Sequence, residues 1–200
     1  MGDALSRAED RLRQARRVLH DLRLLERWSH VGTPVVVGAV SYGLVVARDI
    51  DIEVFGDAPD IAACFAVAAE FAVHPRVQRI RFTNDLAGDN QGLYFQVRCI
   101  DDRGEEWKAD TWVLRRDHPG PLSSSLTGPM QRALTAETRQ AILEIKEHLA
   151  ALEAVGTPRT VHSIDIYRAV LDGGVRTVAA FEQWWARERP SGLTHWRPRS

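Results

Sequence analysis

The chain has 200 residues, room for one domain with a sizeable core plus a helical appendage, and sets 26 Lys and Arg against 27 Asp and Glu for a formal net charge of -1. That balance lacks the basic excess of a protein that lives on nucleic acid, so a long RNA or DNA partner is disfavoured. No apolar run reaches membrane-spanning length, and "MGDALSRAEDRLRQARR" carries charge where a secretory signal needs an apolar stretch, so a cytoplasmic protein is expected.

Met1-Gly2 with Ser6 fits a short myristoylation pattern that is set aside as chance. From Ser6 to about Ser29 the apolar residues recur at helical spacing behind "SRAE", which reads as a capping box. Thr33 and Pro34 punctuate, Val35 to Val37 is a short apolar strand, and Gly38 ends it. The segment "DIDIEVF" is a second strand, and "DAPDIAACFAVAAEFAVHP" a helix with a cap at Asp57 and a stop at Pro75. Three strands follow: "VQRIRFTN", then "GLYFQVRCI" and "EEWKADTWVL", the last two joined by a tight "DDRG" turn.

The Pro, Gly and Ser content of "DHPGPLSSSLTGP" marks a linker, and its serines have no nucleophile-elbow context. Three helices come after it, with Thr135, Ser163 and Thr177 as N-caps, Gly156 and Gly173 as stops, and "SGLTHWRPRS" as a frayed end. Phe181, Trp184 and Trp185 read as core packing. The expected organisation is an N-terminal helix packed on the core over 1–32, a core over 33–116, a linker over 117–129 and a helical subdomain over 130–200. The fold class is α+β, a mixed sheet with helices on one face.

Cys64 and Cys99 sit in apolar surroundings as small buried hydrophobes, and neither they nor the seven histidines show zinc-ligand spacing. The chemistry concentrates elsewhere. Asp49, Asp51 and Glu53 alternate along a strand and share one face, while Ile50, Ile52 and Val54 take the other. Asp49 and Asp51 lie about 6.6 Å apart along the strand, within reach of one divalent cation or a pair, and Glu53 is about 13 Å from Asp49. An isolated D-x-D is more often the solvated face of an edge strand. Asp110, however, stands inside the apolar strand "WKADTWVL", where an unpaired carboxylate is unfavourable, and a cation held with Asp49 and Asp51 gives it a partner. Gly38-Ala39, separated from Asp49 by the nine residues 40–48, makes a small-residue turn of the kind that lets backbone N–H groups approach a phosphate.

On these residues the sequence resembles the nucleotidyltransferase superfamily of the DNA polymerase beta, antibiotic-modifying and minimal nucleotidyltransferase type. Its pattern is hydrophobic-Gly-[Gly/Ser], a gap, Asp-hydrophobic-[Asp/Glu]-hydrophobic, and a later lone Asp; "VGAVSYGLVVARDIDI" and Asp110 in "ADTWV" match it over about 35–114. The departure is Ala39, where the family carries Gly or Ser; Ser41 is the candidate replacement for the lost hydroxyl.

The resemblance implies Mg²⁺ or Mn²⁺ held by Asp49, Asp51 and Asp110, with a nucleoside triphosphate as co-substrate and pyrophosphate as leaving group. Glu53 is a candidate general base or acceptor contact, with an exposed strand-end carboxylate as the plain alternative. Gly38, Ala39 and Ser41 form the phosphate turn. Lys108, Arg139 and Lys146 are candidate phosphate contacts, Lys108 because it shares the face of Asp110, the other two because they lie two helical turns apart on one face. The roles of Tyr42 and Arg48 stay open. The leading expectation is an enzyme that modifies a small-molecule acceptor, as in antibiotic modification. The alternatives are a catalytically reduced nucleotide-binding partner and a protein- or tRNA-nucleotidylating enzyme of toxin type.

Overall fold

Alternation along the strands sorts a five-stranded sheet into an apolar face and a polar face, and helices cover the apolar one. The computed structural model describes residues 3–157, 161–188 and 194–198. Met1-Gly2 of the myristoylation pattern and half of the C-terminal tail lie outside them. The chain divides into two compact units, one of Leu12–Ser41 and Arg48–Gly120, the other of Met1–Arg11, Tyr42–Ala47 and Pro121–Ser200.

The first unit holds the sheet: β1 (Thr33–Val37), β2 (Asp49–Gly56), β3 (Val77–Asp85), β4 (Gly92–Ile100) and β5 (Glu106–Arg115) in the order β1-β2-β5-β4-β3. β2 runs parallel to β5; the other three pairs are antiparallel. This is the expected mixed α+β sheet. Ile50, Ile52 and Val54 are buried on its helix side together with Phe95, Val97 and Val113. Trp28 of α2 (Leu24–Trp28) anchors the layer, its ring 5.6 Å from Phe71 of α4 (Ile61–Ala72) and 5.3 Å from Phe95. Both cysteines are free and buried, and burial pushes each thiol up to about 11.

Several boundaries differ from the sequence reading. The first helix, α1 (Ala4–Asp21), begins before Ser6, because the Asp3 carboxylate accepts the Ser6 N–H at 2.8 Å and supplies the cap. It also stops early: Arg23 takes a left-handed φ of 52°, and the break lets Leu22, Leu24 and Trp28 all reach the core. The cap of α4 is Asp60 rather than Asp57, its Oδ1 accepting the Ala63 N–H at 3.1 Å.

The second unit contains α5 (Ser124–Ala133), α6 (Ala136–Ala154), α7 (Ser163–Leu171) and α8 (Val178–Glu188). Helix α5 runs through part of the segment read as linker and carries Pro129 inside it; burial of Leu126 and Met130 on one helical face outweighs the turn-like composition. Thr135 caps α6 as expected, and Thr177 accepts the Ala180 N–H ahead of α8. His162 rather than Ser163 precedes α7, where the buried Asp165 accepts the His162 N–H at 3.1 Å. Gly156 has the positive φ of a helix stop, whereas after α7 that geometry falls on Gly174, one residue beyond Gly173. Phe181 is buried with Trp184 and Trp185 stacked beside it, in a core that includes Ile142, Ile145 and Tyr167. No helix among the described residues is long and apolar enough to cross a membrane.

The "DDRG" turn fixes the register of β4 on β5. Asp101 is buried there, its Oδ1 accepting the Arg103 and Glu105 N–H groups at 2.9 Å each and its Oδ2 the Trp107 indole N–H at 3.0 Å. Burial raises this carboxyl's pKa, but the Glu105, Arg103 and Trp107 hydrogen bonds and the Arg48 charge outweigh it and leave the group below the usual carboxylate value. A depressed folded-state pKa gives stability that is present above the unfolded value near 3.9 and lost as pH falls through the folded one. Asp101→Asn is therefore expected to lower unfolding free energy by about 2–3 kcal/mol at neutral pH. The deficit should begin to shrink below about pH 4, where the unfolded-state carboxyl protonates, and be smallest once pH has fallen past the lower folded-state value. Urea melts at both pH values check this, and a pH-independent difference would contradict it.

Candidate active site

The parallel β2–β5 pairing sets residues 59 positions apart side by side: Asp49 opposite Lys108 and Asp51 opposite Asp110. The antiparallel β4 adds Gln96 opposite Asp110 and Arg98 opposite Lys108. Side chains at paired positions point to the same face. Asp49, Asp51 and Asp110 accordingly each offer a carboxylate oxygen within 4.8 Å of the others, all of them partly buried.

Lys108 reaches into this cluster. Its Nζ lies 3.0 Å from Asp49 Oδ2 and 2.7 Å from Asp110 Oδ2. Burial pulls the ammonium pKa down, but the Asp110 and Asp49 carboxylates outweigh it and raise the group above its ordinary range. In this structure the lysine is the counterion of both carboxylates.

The other side of Asp110 is held by two residues that the sequence reading did not single out. Tyr94 donates its hydroxyl to Asp110 Oδ1 at 2.6 Å, and Gln96 Nε2 donates to the same oxygen at 3.0 Å. Burial, then the hydrogen bond to the carboxylate, push the Tyr94 phenol up to about 12, so it remains a donor. Arg98 donates to Gln96 Oε1 at 3.0 Å and pairs with Glu106 at 2.5 Å, which orients the amide. The signal was present in "GLYFQVRCI": counting across the "DDRG" turn places Gln96 opposite Asp110 and Tyr94 two pairs further on, on the same face.

Gly38 opens α3 (Gly38–Tyr42) with a φ of +64°, and a Cβ there would overlap the Asp51 carboxylate, with Asp51 Cγ only 3.2 Å away. The glycine is required by both its backbone and its neighbour. Ser41 donates its hydroxyl to the Gly38 carbonyl at 2.8 Å, closing the turn. Ala39 follows Gly38 in the same helix and brings no polar group to the turn.

Glu53 is not an exposed strand-end carboxylate: it is 6% exposed, opposite Val35 and Trp112, and outside the three-carboxylate cluster. Arg48 pairs with Glu105 at 3.0 Å. Arg139 and Lys146 belong to the helical unit, where the guanidinium donates to the Tyr42 carbonyl and the ammonium donates to the Leu44 carbonyl at 2.7 Å. The Tyr42 ring packs edge-on against Tyr167 at 5.9 Å in that same unit.

Three acidic oxygen donors around a space already favourable to an ammonium fit a hard divalent cation such as Mg²⁺ or Mn²⁺. The Gly38 backbone, with no side chain of its own, leaves room beside Asp51.

No protein-family model matches the chain, and no curated protein matches it. Solved structures do. Cid1 poly(U) polymerase bound to MgATP superposes with a TM-score of 0.60 at 18% identity, covering 82% of this chain and 50% of that one. A second structure of Cid1, described by its RNA terminal uridylyl transferase activity, gives a TM-score of 0.58 at 19% identity, over 82% of this chain and 47% of the other. A cytoplasmic RNA terminal U-transferase gives a TM-score of 0.55 at 18% identity, over 80% of this chain and 47% of the other. The chain spans about half the length of these structures. Its fold is the nucleotidyltransferase fold.

Lys108→Met leaves Asp49 and Asp110 without their internal cation. Without added metal its melting temperature is expected to fall by a few degrees, equivalent to about 1–2 kcal/mol for a half-buried pair. Saturating Mg²⁺ or Mn²⁺ should restore more of that loss than the same ions add to the native chain. Thermal melts in chelator and in metal read both quantities, and identical metal-induced shifts would contradict a shared cation position.

Proposed function

We propose that this chain moves a nucleoside monophosphate from a Mg²⁺-complexed nucleoside triphosphate to a hydroxyl of a small-molecule acceptor, with release of pyrophosphate. The observation that carries the reading is the cluster of Asp49, Asp51 and Asp110 on the polar face of a nucleotidyltransferase-type sheet, beside the Gly38 turn. Bound there, the divalent ion would neutralise the triphosphate and lower the pKa of the attacking hydroxyl. The chain's own part is positional. Asp49 and Asp51 would hold the cation from β2, and Asp110 from β5. Tyr94 and Gln96 fix the Asp110 rotamer, so its second oxygen, now on Lys108, is the one free to turn toward a cation. Released from Asp110 in that way, the Lys108 ammonium would be available to a triphosphate oxygen. In the transfer the acceptor oxygen forms its bond to the α-phosphorus as the bond from that phosphorus to the pyrophosphate oxygen breaks, in line.

A small acceptor is favoured by the net charge of -1, which provides no general attraction for a long polyanion. A second reading, an RNA terminus as acceptor, has one specific observation behind it. Arg79 and Arg81 on β3 are exposed, share the polar face by register with Arg98 and Gln96, and have no ion pair among the described residues. Arg81 stands two strands from Asp110, about 10 Å at ordinary sheet spacing. A nucleotide-binding chain without turnover is the third, motivated by Ala39.

Pyrophosphate release with each of the four NTPs, Mg²⁺ and either hydroxyl-bearing small molecules or a short RNA separates these readings. The expected outcome is release and a covalent nucleotidyl adduct with a small molecule. Asp51→Asn should lower that rate at least about a hundredfold, the equivalent of a few kcal/mol of lost charge stabilisation, with an unchanged circular dichroism spectrum. RNA extension without small-molecule adducts would transfer the assignment to the second reading, and calorimetric NTP binding with no transfer to the third.

A further inference from the structure

The polar face of the sheet carries cations that the carboxylate cluster does not use. Strand β3 holds one extra residue, Gln78, between Val77 opposite Cys99 and Arg79 opposite Arg98. This bulge inverts the side-chain alternation beyond it. Without it Arg79 and Arg81 would turn toward the buried Val97 and Phe95; with it both stand exposed on the polar face. Arg79 there lies in one row with Arg98 and Lys108, each directly opposite the next. Like charges so placed repel. Arg98 is offset by Glu106, and Lys108 by Asp49 and Asp110, whereas neither Arg79 nor Arg81 has an ion pair among the described residues.

We propose that Arg79 and Arg81 form a subsite for a phosphate group carried by the small-molecule acceptor, an inference that rests on the transferase reading. Side chains two apart on a strand share a face about 6.6 Å from each other, close enough for two long guanidinium forks to converge on one phosphate. Arg81 shares its row with Gln96 and Asp110 and stands two strands, or about 10 Å, from the latter. One molecule therefore reaches both places when its hydroxyl and its phosphate are no more than about that far apart. By register its body lies over Gln96, beside the half-buried rings of Tyr94 and Trp112, whose centroids are 5.0 Å apart. Two unpaired arginines match the charge of one phosphate monoester, close to -2 at neutral pH. A polynucleotide track needs a longer run of cations than these two provide. The same pair repels a polycationic acceptor such as an aminosugar.

Thermal melts in chelator, with inorganic phosphate as the probe and sodium chloride at equal ionic strength as the control, test the subsite without metal or nucleotide. Phosphate should raise the melting temperature of the native chain by a few degrees more than chloride does. The double variant Arg79→Gln, Arg81→Gln should respond to both salts alike and, relieved of the repulsion with Arg98, melt no lower than the native chain. Arg79→Lys with Arg81→Lys, which keeps the charge and loses the fork, should retain a weaker phosphate response. With Mg²⁺ and NTP, ribose 5-phosphate should be preferred to ribose by at least about tenfold in kcat/KM, and the glutamine variant should lose that preference through KM. An equal phosphate response in native and glutamine proteins, the result if the arginines only keep an edge strand from pairing, would overturn the proposal. Equal use of the two sugars, or extension of a short RNA in place of both, would overturn it as well. A phosphate response lost in the glutamine variant, with no transfer to any acceptor, would leave the anion subsite standing and remove the transferase reading alone.

Discussion

Three carboxylates within a few ångströms repel one another, and the polar face of the sheet is built around that repulsion. Two like charges 4 Å apart interact by about 4 kcal/mol at the effective dielectric of a protein surface, too much to leave uncompensated. Lys108 offsets part of it by touching Asp49 and Asp110 together. One ammonium against three carboxylates leaves formal negative charge in the cluster, which is what a divalent cation would neutralise. The same arrangement thus serves folding without metal and provides a reason to bind one.

Topology makes the cluster possible. Asp49 and Asp51 come from β2 and Asp110 from β5, and only the parallel pairing of these two strands at the middle of the sheet puts them in one row. Helix α4 supplies the crossover after β2, and the β4–β5 hairpin then sets β5 against it. A one-residue slip in that hairpin would turn Asp110 toward Trp28 and Phe71. Asp101 guards against the slip by satisfying two turn amides and the Trp107 indole at once. The site is therefore secured by a carboxylate that has no part in its chemistry.

Asp49, Asp51 and Asp110 were legible in the sequence because a carboxylate in an apolar alternating strand needs an explanation, and so was the mixed sheet, from the strand and helix order. Tyr94 and Gln96 were not singled out: a tyrosine and a glutamine at alternate positions are ordinary for a half-buried strand, and their meaning comes from what lies across the ladder. The helix caps at Asp3, Asp60 and His162 were missed because neighbouring polar residues compete for each end and tertiary packing decides among them. Helix α5 was hidden by composition, since the burial of Leu126 and Met130 depends on partners distant in sequence. The destination of Arg139 and Lys146 was equally non-local: their spacing on α6 showed a shared face, but the acceptors turned out to be the backbone carbonyls of Tyr42 and Leu44.

Ala39 bears on the transferase reading less than its place in the motif suggests. A serine there would add one hydroxyl, and one hydrogen bond contributes about 0.5–1.5 kcal/mol, a factor of roughly two to ten in affinity. Ser41 does not restore it in this conformation, because its hydroxyl is committed to the Gly38 carbonyl, an ordinary back-bond for a serine in a helical turn. The backbone amide of residue 39 is present whichever side chain it carries, and Gly38 keeps both the positive φ and the clearance beside Asp51. A lost hydroxyl is thus a matter of nucleotide affinity, whereas loss of a carboxylate from the cluster removes one of the three charges that would meet the cation. By that comparison the altered turn weighs less against the proposed transfer than the loss of any one carboxylate would.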